Sequence, residues 1–450
     1  MTHEIFVGDC RELLRDLPDE CVDAIVTDPP YELGFMGKKW DGTGIAYDVS
    51  MWTECLRVLK PGGHLLAFGG TRTYHRMTCA IEDAGFEVRD SLHWIYGSGF
   101  PKSMNVSKAI DKAAGVSGGR GSMKRGGERL MKQAPGGRRD NAGQWGKETG
   151  RDPYTYAPAT DAAKEWQGWG TALKPAHEPI VVARKPLVGT VASNLLKHGT
   201  GAMNIDGTRV EYANPEDFAK LAAGVASIKA RGGSMENSWK NSSDLSGAND
   251  ASTIGRWPPN VLLSHAEDCG DECAEDCAVA EMDRQSGTSV SRKGKPRGSA
   301  LPGDGWGMTK TGAEYNDDGG ASRFFPCFHY GTKAGRKERE VGCENLPARS
   351  GAQAVEREEG SDGMNSPRAG AGRTASEVRN HHPTVKSISV MRWLVKLVTP
   401  PNGVVLDPFA GSGTTGVACA HEGFEFVGFE QSAEYAAIAE ARITHAQRNK

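Results

Sequence analysis

Along the first hundred residues, apolar positions follow two alternating rhythms. Short apolar runs, "EIFVGD", "VDAIVTD", "HLLAFGG" and "VRDSLHWIY", predict strands. Between them, "CRELLRDLP", "MWTECLRVLKPGG" and "YHRMTCAIEDAGF" set apolar residues at helical spacing and close on Pro or Gly. Strands and helices alternating at this length imply a parallel sheet with helices on both faces. After Gly97 the rhythm dissolves. Residues from about Pro101 to His382 are rich in Gly, Ser, Asn and charge, broken by islands such as "EPIVVARKP", "AMNIDGTRV" and "WPPNVLLS". The tracts Gly115–Gly150 and Arg349–Arg373 have the composition of mobile chain. Order returns with a helix, "SVMRWLVKLVTPP", and the strand "GVVLD". The loop "PFAGSGTTG", the helix "VACAHEGF", the strand "EFVGFE" and the helix "SAEYAAIAEARITHAQ" follow.

That loop contains a G-x-G-x-x-G, made by Gly411, Gly413 and Gly416, after a strand and before a helix. Glycines there let a ligand approach backbone N–H groups, and an acid about 20 residues on can hold ribose hydroxyls. Glu430, ending the next strand, fits that acid. A dehydrogenase is the default reading of such a loop alone. A nucleotide-binding sheet needs several more strand–helix units, however, and little chain follows the loop. The missing strands can come only from the N-terminus. The two ends are therefore expected to build one sheet, with the nucleotide-binding strand supplied last.

An early strand ends abruptly, at Asp28-Pro29-Pro30-Tyr31. Asp-Pro-Pro breaks any element, so a plain turn is one reading. A catalytic site is the other, because open α/β sheets bind ligands at the carboxyl ends of their strands.

A chain of 450 residues predicts two or three domains, or one core with a large insertion; 38% hydrophobic residues and 58 glycines favour long loops. The net charge of −3 hides local asymmetry. Lys102 to Glu148 carries 11 Lys/Arg against 4 Asp/Glu, and Arg284 to Arg297 reads "RQSGTSVSRKGKPR". Such tracts suit a phosphate-rich partner or a solvated loop. No apolar run approaches the ~20 residues that span a bilayer, and "MTHEIFVGDC" lacks a signal pattern. Several of the ten cysteines lie in apolar runs, as packed, reduced thiols do, which suggests a cytosolic protein. In "SHAEDCGDECAEDC", His265, Cys269, Cys273 and Cys277 recur every four residues. Short Cys spacings are a mark of zinc. On a straight helix, residues four apart climb ~6 Å each, so four in a row cannot share one ion. A zinc site there requires a loop, or ligands from elsewhere such as Cys327 or His329, and a solvated acidic helix face is the competing reading.

"DPPY" at Asp28–Tyr31 with "DPFAGSGTT" at Asp407–Thr415 resembles the S-adenosylmethionine-dependent DNA amino-methyltransferases. Having the catalytic motif first and the cofactor motif last is similar to their permuted beta class. "GDC", Gly8–Cys10, resembles the segment that meets the cofactor's adenine. "LKPGGHLLAFGG" and "HWIYGSGFPKS" resemble strands lining the target pocket. "HHPTVKS", His381–Ser387, resembles an "HPTxKP" segment, with Ser387 in place of proline. The resemblance is strong over residues 4–100 and 380–445, and "KPAHEPIVVARKP" and "RWPPNVLLSH" are similar to segments of phage and bacterial members.

The resemblance implies a doubly wound, Rossmann-like α/β core, circularly permuted. Residues 1–100 are its catalytic half, 381–450 its cofactor half, and 101–380 a central insertion with the target-recognition region. It implies S-adenosylmethionine as cofactor and double-stranded DNA as partner. The catalytic set is Asp28, Pro29, Pro30 and Tyr31. The expected cofactor set is Asp9, Cys10, Thr384, Lys386, Asp407, Pro408, Phe409, Ala410, Gly411, Ser412, Gly413, Thr414 and Glu430. Asp28 and the Pro29 carbonyl would accept the two protons of an exocyclic amino group, and Tyr31 would stack on a flipped-out base. Adenine N6 is favoured over cytosine N4 because Asp, not Ser, precedes Pro-Pro-Tyr. A nicotinamide-dependent oxidoreductase and a non-catalytic DNA-binding protein are the competing classes. The first conflicts with the short chain beyond Gly416, the second with the intact Asp28–Tyr31 motif.

Overall fold

The computed structural model describes residues 2–34, 39–97, 103–123, 154–211, 255–266, 269–270, 272–274, 277–290, 318–328, 336–349 and 378–449. Most of the two tracts expected to be mobile (124–150 and 350–373), the basic run beyond Val290 and His329 lie outside the described residues.

The chain forms two compact units. The first comprises 1–98, 176–338 and 385–450, and the second 99–175 and 339–384. In the first unit a nine-stranded sheet is built from β1 (His3–Val7), β2 (Val22–Thr27), β3 (Leu59–Phe68), β4 (Glu87–Tyr96), β5 (His177–Arg184), β6 (Val261–Ser264), β7 (Cys327–Phe328), β8 (Val404–Asp407) and β9 (Glu425–Glu430). Their order is β1-β9-β8-β2-β3-β5-β4-β6-β7. The N- and C-terminal segments thus interleave in one sheet, as expected. β8 pairs in parallel with β9 on one side and β2 on the other. From β8 the chain winds outward to β9, while from β2 it winds the opposite way to β3, so β8/β2 is the sheet's topological switch point.

Two expectations need correction. The sheet is not wholly parallel: β5 runs antiparallel to both β3 and β4. Nor do the boundaries 101 and 380 separate insertion from core. "EPIVVARKP" and "WPPNVLLS" are apolar because they supply β5 and β6 to the main sheet, with Ile180, Val182 and Leu262 in its core. The second unit takes only 99–175 and 339–384.

Apolar residues on both faces of β2 explain its near-continuous hydrophobic run; all six of its residues are buried. One face packs with the helix Ile388–Val398, through Val390, Met391 and Leu394. The other packs with Met51, Trp52 and Cys55 of the helix Val49–Val58. β3 begins at Leu59, earlier than its pattern suggests, because "KPGG" forms a bulge between the pairs Val22/Leu59 and Ala24/His64. Buried Asp23 ties the halves together, accepting from the Val404 backbone at 2.8 Å and pairing with Lys60 at 2.6 Å.

In the second unit the helix Val106–Ala113 accompanies an antiparallel ribbon of Gly119–Met123 and Tyr154–Ala157. Buried Asp111 organises it, accepting from the Tyr156 hydroxyl and from the Ala159 and Thr160 backbones at 2.8 to 3.0 Å. All ten cysteines are free thiols. Among the described residues no helix is long and apolar enough to cross a membrane.

Candidate active site

Asp407 is the last residue of β8 and is buried. Its Oδ1 accepts from Thr27 Oγ1 at 2.6 Å and from the Phe409 backbone at 3.0 Å, and its Oδ2 accepts from Thr415 Oγ1 at 2.6 Å. Burial pushes the carboxyl up to about 6, against the pull of those donors. The carboxylate thereby fixes three pieces at once: the end of β2, the start of the loop, and the first turn of the helix Thr414–Glu422.

The glycine loop is shaped by close approach. A Cβ on Gly413, whose φ is +74°, would lie 2.7 Å from the Ala439 Cβ, and one on Gly416 would lie 2.3 Å from Ile443 Cδ1. Both contacts come from the helix Ala433–Arg448, which can approach only a glycine loop. From the same helix, buried Arg442 donates to the Ser412 carbonyl at 2.6 Å and to the Ser412 and Thr414 hydroxyls at 3.0 and 3.2 Å. Glu430, ending β9, accepts from the Gly411 backbone at 2.9 Å and from the Ser432 backbone at 2.8 Å. Burial raises its carboxyl to about 7, more than those donors lower it. Phe409 packs by the core formed with α-helices on the Trp52 side, and the Ala410 backbone donates to the Phe429 carbonyl at 2.8 Å.

At the end of the neighbouring β2 stands Asp28. Its Oδ1 lies 3.0 Å from Lys386 Nζ, which in turn lies 3.0 Å from Glu178 Oε2. Lys386 Nζ also donates to the Tyr31 hydroxyl at 2.9 Å, and that hydroxyl donates to Glu178 Oε2 at 3.0 Å. The ammonium lies 5.0 Å from the Tyr31 ring centre and 4.9 Å from that of Phe68, within cation–π range. Asp28, Glu178 and Lys386 are only 11 to 19% exposed. Burial raises the Asp28 carboxyl above its ordinary value although Lys386 opposes it. Burial also pulls the Lys386 ammonium down, but the carboxylates of Asp28 and Glu178 hold it above an ordinary lysine. The Tyr31 phenol is pushed well up by burial and by the same two carboxylates.

The backbone around Tyr31 is equally constrained. Its carbonyl accepts from Thr73 Oγ1 at 2.7 Å, and Glu32 at φ +54° accepts from the Gly44 backbone at 2.8 Å. Asp41 accepts from the Glu32 backbone at 2.9 Å. The Asp28–Tyr31 stretch is therefore a strand end held on several sides, with the ionisable groups of Lys386 and Glu178 gathered on it.

Several expected residues take other places. Lys386, expected with the cofactor set, stands in the Asp28 pocket. Asp9 caps the helix Cys10–Asp16 by accepting from the Arg11 backbone at 2.9 Å, and Arg11 Nε donates to the same oxygen at 3.0 Å. Cys10 points into the core, its thiol pushed up to about 12 by burial. Thr384 belongs to the second unit, where its carbonyl lies 2.9 Å from His382 Nδ1. Pro408 follows Asp407 at the start of the loop, and buried Pro29 and half-buried Pro30 lie between Asp28 and Tyr31. His265, Cys269, Cys273 and Cys277 do come together, with ligand atoms all within 4.8 Å of one another.

Glu178, Thr27, Thr415 and Arg442 were not singled out by sequence reasoning. Glu178 reaches the pocket because β5 is antiparallel: its first residues pair with the last residues of β4, Glu178 opposite Trp94. An acid at the head of the otherwise apolar "EPIVVA" was the available signal. Thr27 and Thr415 flank the two motifs directly, and Arg442 offers only a basic residue within an otherwise apolar helix face.

Among curated proteins, type II methyltransferase M.HindIII of Haemophilus influenzae is 38% identical over 160 residues, 35% of this chain and 38% of its own. Type II methyltransferase M2.LlaDCHI of Lactococcus lactis subsp. cremoris is 40% identical over 62 residues, 14% and 23% of the two chains. The chain thus spans less than two fifths of the length of the curated relatives it matches. Among solved structures, the M1.HpyAVI–SAM complex aligns over 98% of this chain and 99% of that one, at 14% identity and a TM-score of 0.36. The PvuII DNA methyltransferase, cytosine-N4-specific, aligns over 100% and 92% at 13% identity and a TM-score of 0.38. The N6/N4 methyltransferase family, described as DNA methylase, matches residues 22–441, a span that takes in both the Asp28 strand end and the Asp407 loop. The chain belongs to that DNA methylase family.

Proposed function

We propose that this protein transfers a methyl group from S-adenosylmethionine to an exocyclic amino group of a base in double-stranded DNA, with adenine N6 as the target. The observation that carries this reading is the bond between Thr27 and Asp407, which brings the Asp28 site and the glycine loop to adjacent strand ends at the switch point.

The residues present fit the cofactor. Gly411, at φ +54°, turns the loop without a side chain at the strand end, and Glu430 brings a buried carboxyl to the end of β9 for ribose hydroxyls. When bound, S-adenosylmethionine supplies an electrophilic methyl. On the protein side, Asp28 Oδ1 and the Pro29 carbonyl accept the two amino protons of the target. The nitrogen lone pair, otherwise delocalised into the ring, is thereby directed at the methyl. Asp28 and the Pro29 carbonyl hold the amino group in line while the methyl passes to that nitrogen, with the C–S electron pair kept on sulfur. The surplus amino proton leaves through Asp28 to water. Lys386 already presents a nitrogen donor to Asp28 at 3.0 Å, the kind of partner a target amino group offers. Half-buried Tyr31 provides an aromatic face beside that position, suited to a flipped-out base, while Phe68 beneath Lys386 is fully buried and belongs to the core.

Adenine is favoured by Asp rather than Ser before Pro-Pro-Tyr; cytosine N4 is the second reading, since the same acceptors serve either amino group. Target recognition is assigned to residues between 101 and 380, on the strength of the basic tract 102–148. Incubating the protein with labelled S-adenosylmethionine and unmethylated double-stranded DNA, then digesting to nucleosides, tests the reading. Label in N6-methyladenosine is the expected result. Label in N4-methylcytosine transfers the assignment to the second reading, and label in neither nucleoside rejects the function. Deleting 115–150 is expected to weaken DNA binding while sparing cofactor affinity, and unchanged DNA affinity rejects that tract as a DNA contact.

A further inference from the structure

We propose that His265, Cys269, Cys273 and Cys277 bind one structural zinc ion. Their ligand atoms all lie within 4.8 Å of one another, with Cys273 Sγ and Cys277 Sγ 3.4 and 3.5 Å from His265 Nδ1. Tetrahedral zinc with Zn–S of about 2.3 Å and Zn–N of about 2.0 Å has ligand–ligand edges of roughly 3.5–3.8 Å. The two measured edges already match.

The helical objection to a spacing of four does not apply, because the four ligand residues themselves are not in a helix. His265 directly follows β6, and its backbone donates to the Phe328 carbonyl on β7 at 3.0 Å. The Cys269 backbone then turns back onto the Ala266 carbonyl, and that of Cys277 onto the Ala274 carbonyl. The helix Ala278–Ser286 starts only after the last ligand, with Cys277 at its N-cap. The four groups come together where a straight helix would spread them along its axis. The Ala274 backbone N–H also donates to Cys269 Sγ at 3.2 Å, a contact that favours a thiolate ligand.

Three thiolates and one imidazole are a closed zinc set, which leaves no position for water or substrate, so the role is structural. The surroundings show why such a role is useful. Among the described residues the apolar cluster here has four buried members, Leu263, Ala266, Cys277 and Val279, with partly buried neighbours such as Ile95, Met282 and Phe325 packed on them. A cluster that small cannot by itself hold a sheet edge, a loop and a helix together, and metal coordination supplies the missing stabilisation. Cys327, the other cysteine of this region, is not part of the set; its Sγ faces the Ser322 and Phe325 carbonyls at 3.6 and 3.4 Å.

The test uses the full chain, purified in reductant without a metal-affinity step. Elemental analysis is expected to give about one zinc per chain, the complement of a four-ligand site. Cobalt exchange is expected to give the intense visible bands of a tetrahedral ion together with thiolate charge-transfer bands. Cys269→Ser and Cys277→Ser should each lose the stoichiometric metal and lower the thermal midpoint. His265→Cys keeps a four-ligand set and should retain both metal and midpoint. It guards against reading a misfolded serine variant as support. Absence of stoichiometric zinc from the folded wild type overturns the proposal. So does zinc retained in the Cys269→Ser/Cys277→Ser double variant, and so does a protein isolated with a disulfide among these cysteines.

Discussion

Thr27 Oγ1 donates to Asp407 Oδ1 at 2.6 Å, joining the ends of adjacent strands contributed by opposite ends of the chain. Both residues are buried, and the residue after each begins a motif: Asp28 after Thr27, and Pro408 of the glycine loop after Asp407. A single hydrogen bond thus ties the strand end that carries Asp28 to the strand end that opens the glycine loop.

Thr27→Val keeps the shape of the side chain but removes this donor. Because Asp407 is buried, losing one of its partners is expected to cost about 1–3 kcal/mol. Cofactor affinity should fall with it, since Asp407 also positions the Phe409 backbone and Thr415. Thr27→Ser retains the hydroxyl and should restore both. Denaturant titration beside calorimetry with S-adenosylmethionine checks the pair. A valine variant with wild-type stability and affinity would show that the bond is incidental.

The two raised carboxyls give the ligand-free protein a pH signature. Asp407 is raised to about 6 and Glu430 to about 7, above the unfolded values near 4. For an acid shifted upward, the folded state holds its proton more tightly, so this contribution is full below about pH 4 and is lost as pH rises through 6 to 7. For Asp407 the loss is on the order of 3 kcal/mol, from about two pKa units at ~1.4 kcal/mol each. Other carboxylates titrate too, so the informative quantity is the wild-type stability minus that of Asp407→Asn at each pH. That difference should shrink between pH 4 and pH 7. A difference that grows over the same range contradicts the assignment.

The sequence carried much of this organisation, for identifiable reasons. The joined ends were legible because strand–helix alternation marks both the first hundred residues and the segment around the glycine loop, while the stretch between them breaks that rhythm. The strand end at Asp28 was legible because Asp-Pro-Pro-Tyr is an abrupt end to a fully buried run. Glu178 was not, because its role depends on strand direction: only an antiparallel β5 delivers its first residues to the carboxyl ends of β3 and β4, and "EPIVVA" reads the same either way. Lys386 was legible as a residue of interest but not as a partner of Asp28. Its neighbourhood is set by where the chain enters the helix Ile388–Val398, a long-range placement. Asp9 shows the converse, since an acid before a helix is a cap as readily as a ligand contact.

Lys386 sits between two buried carboxylates, so its removal and theirs should not be additive. Lys386→Met leaves Asp28 and Glu178 without their shared cation, and is expected to destabilise by about 3–5 kcal/mol, the cost of breaking a buried pair from one side. Adding Glu178→Gln removes one of the stranded charges and should recover part of that loss. Measuring the four proteins of the Lys386/Glu178 cycle by urea denaturation gives the coupling. Additive losses would mean that the two side chains do not share their charge in solution.

The sharpest test falls on Asp28 itself. If it ends its strand in order to hold the target amino group, Asp28→Ala should abolish methyl transfer while leaving cofactor affinity near wild type. The cofactor cradle stands on Asp407, the glycine loop and Glu430, none of which bonds to Asp28 through a hydrogen bond. Stability should not fall steeply, because burial works against the charged Asp28 and the neutral side chain is spared that cost. A turn-forming Asp28 predicts the reverse, with stability lowered and activity following only the folded fraction. Tyr31→Ala should be milder, weakening the hold on a flipped-out base by about 1–3 kcal/mol. Tyr31→Phe keeps the flat face and gives up only the hydroxyl bonds to Glu178 and Lys386, so it should stay active. Cofactor calorimetry beside turnover on unmethylated DNA decides the matter. An Asp28→Ala protein that binds cofactor normally and methylates at the wild-type rate would leave the strand end without a catalytic role.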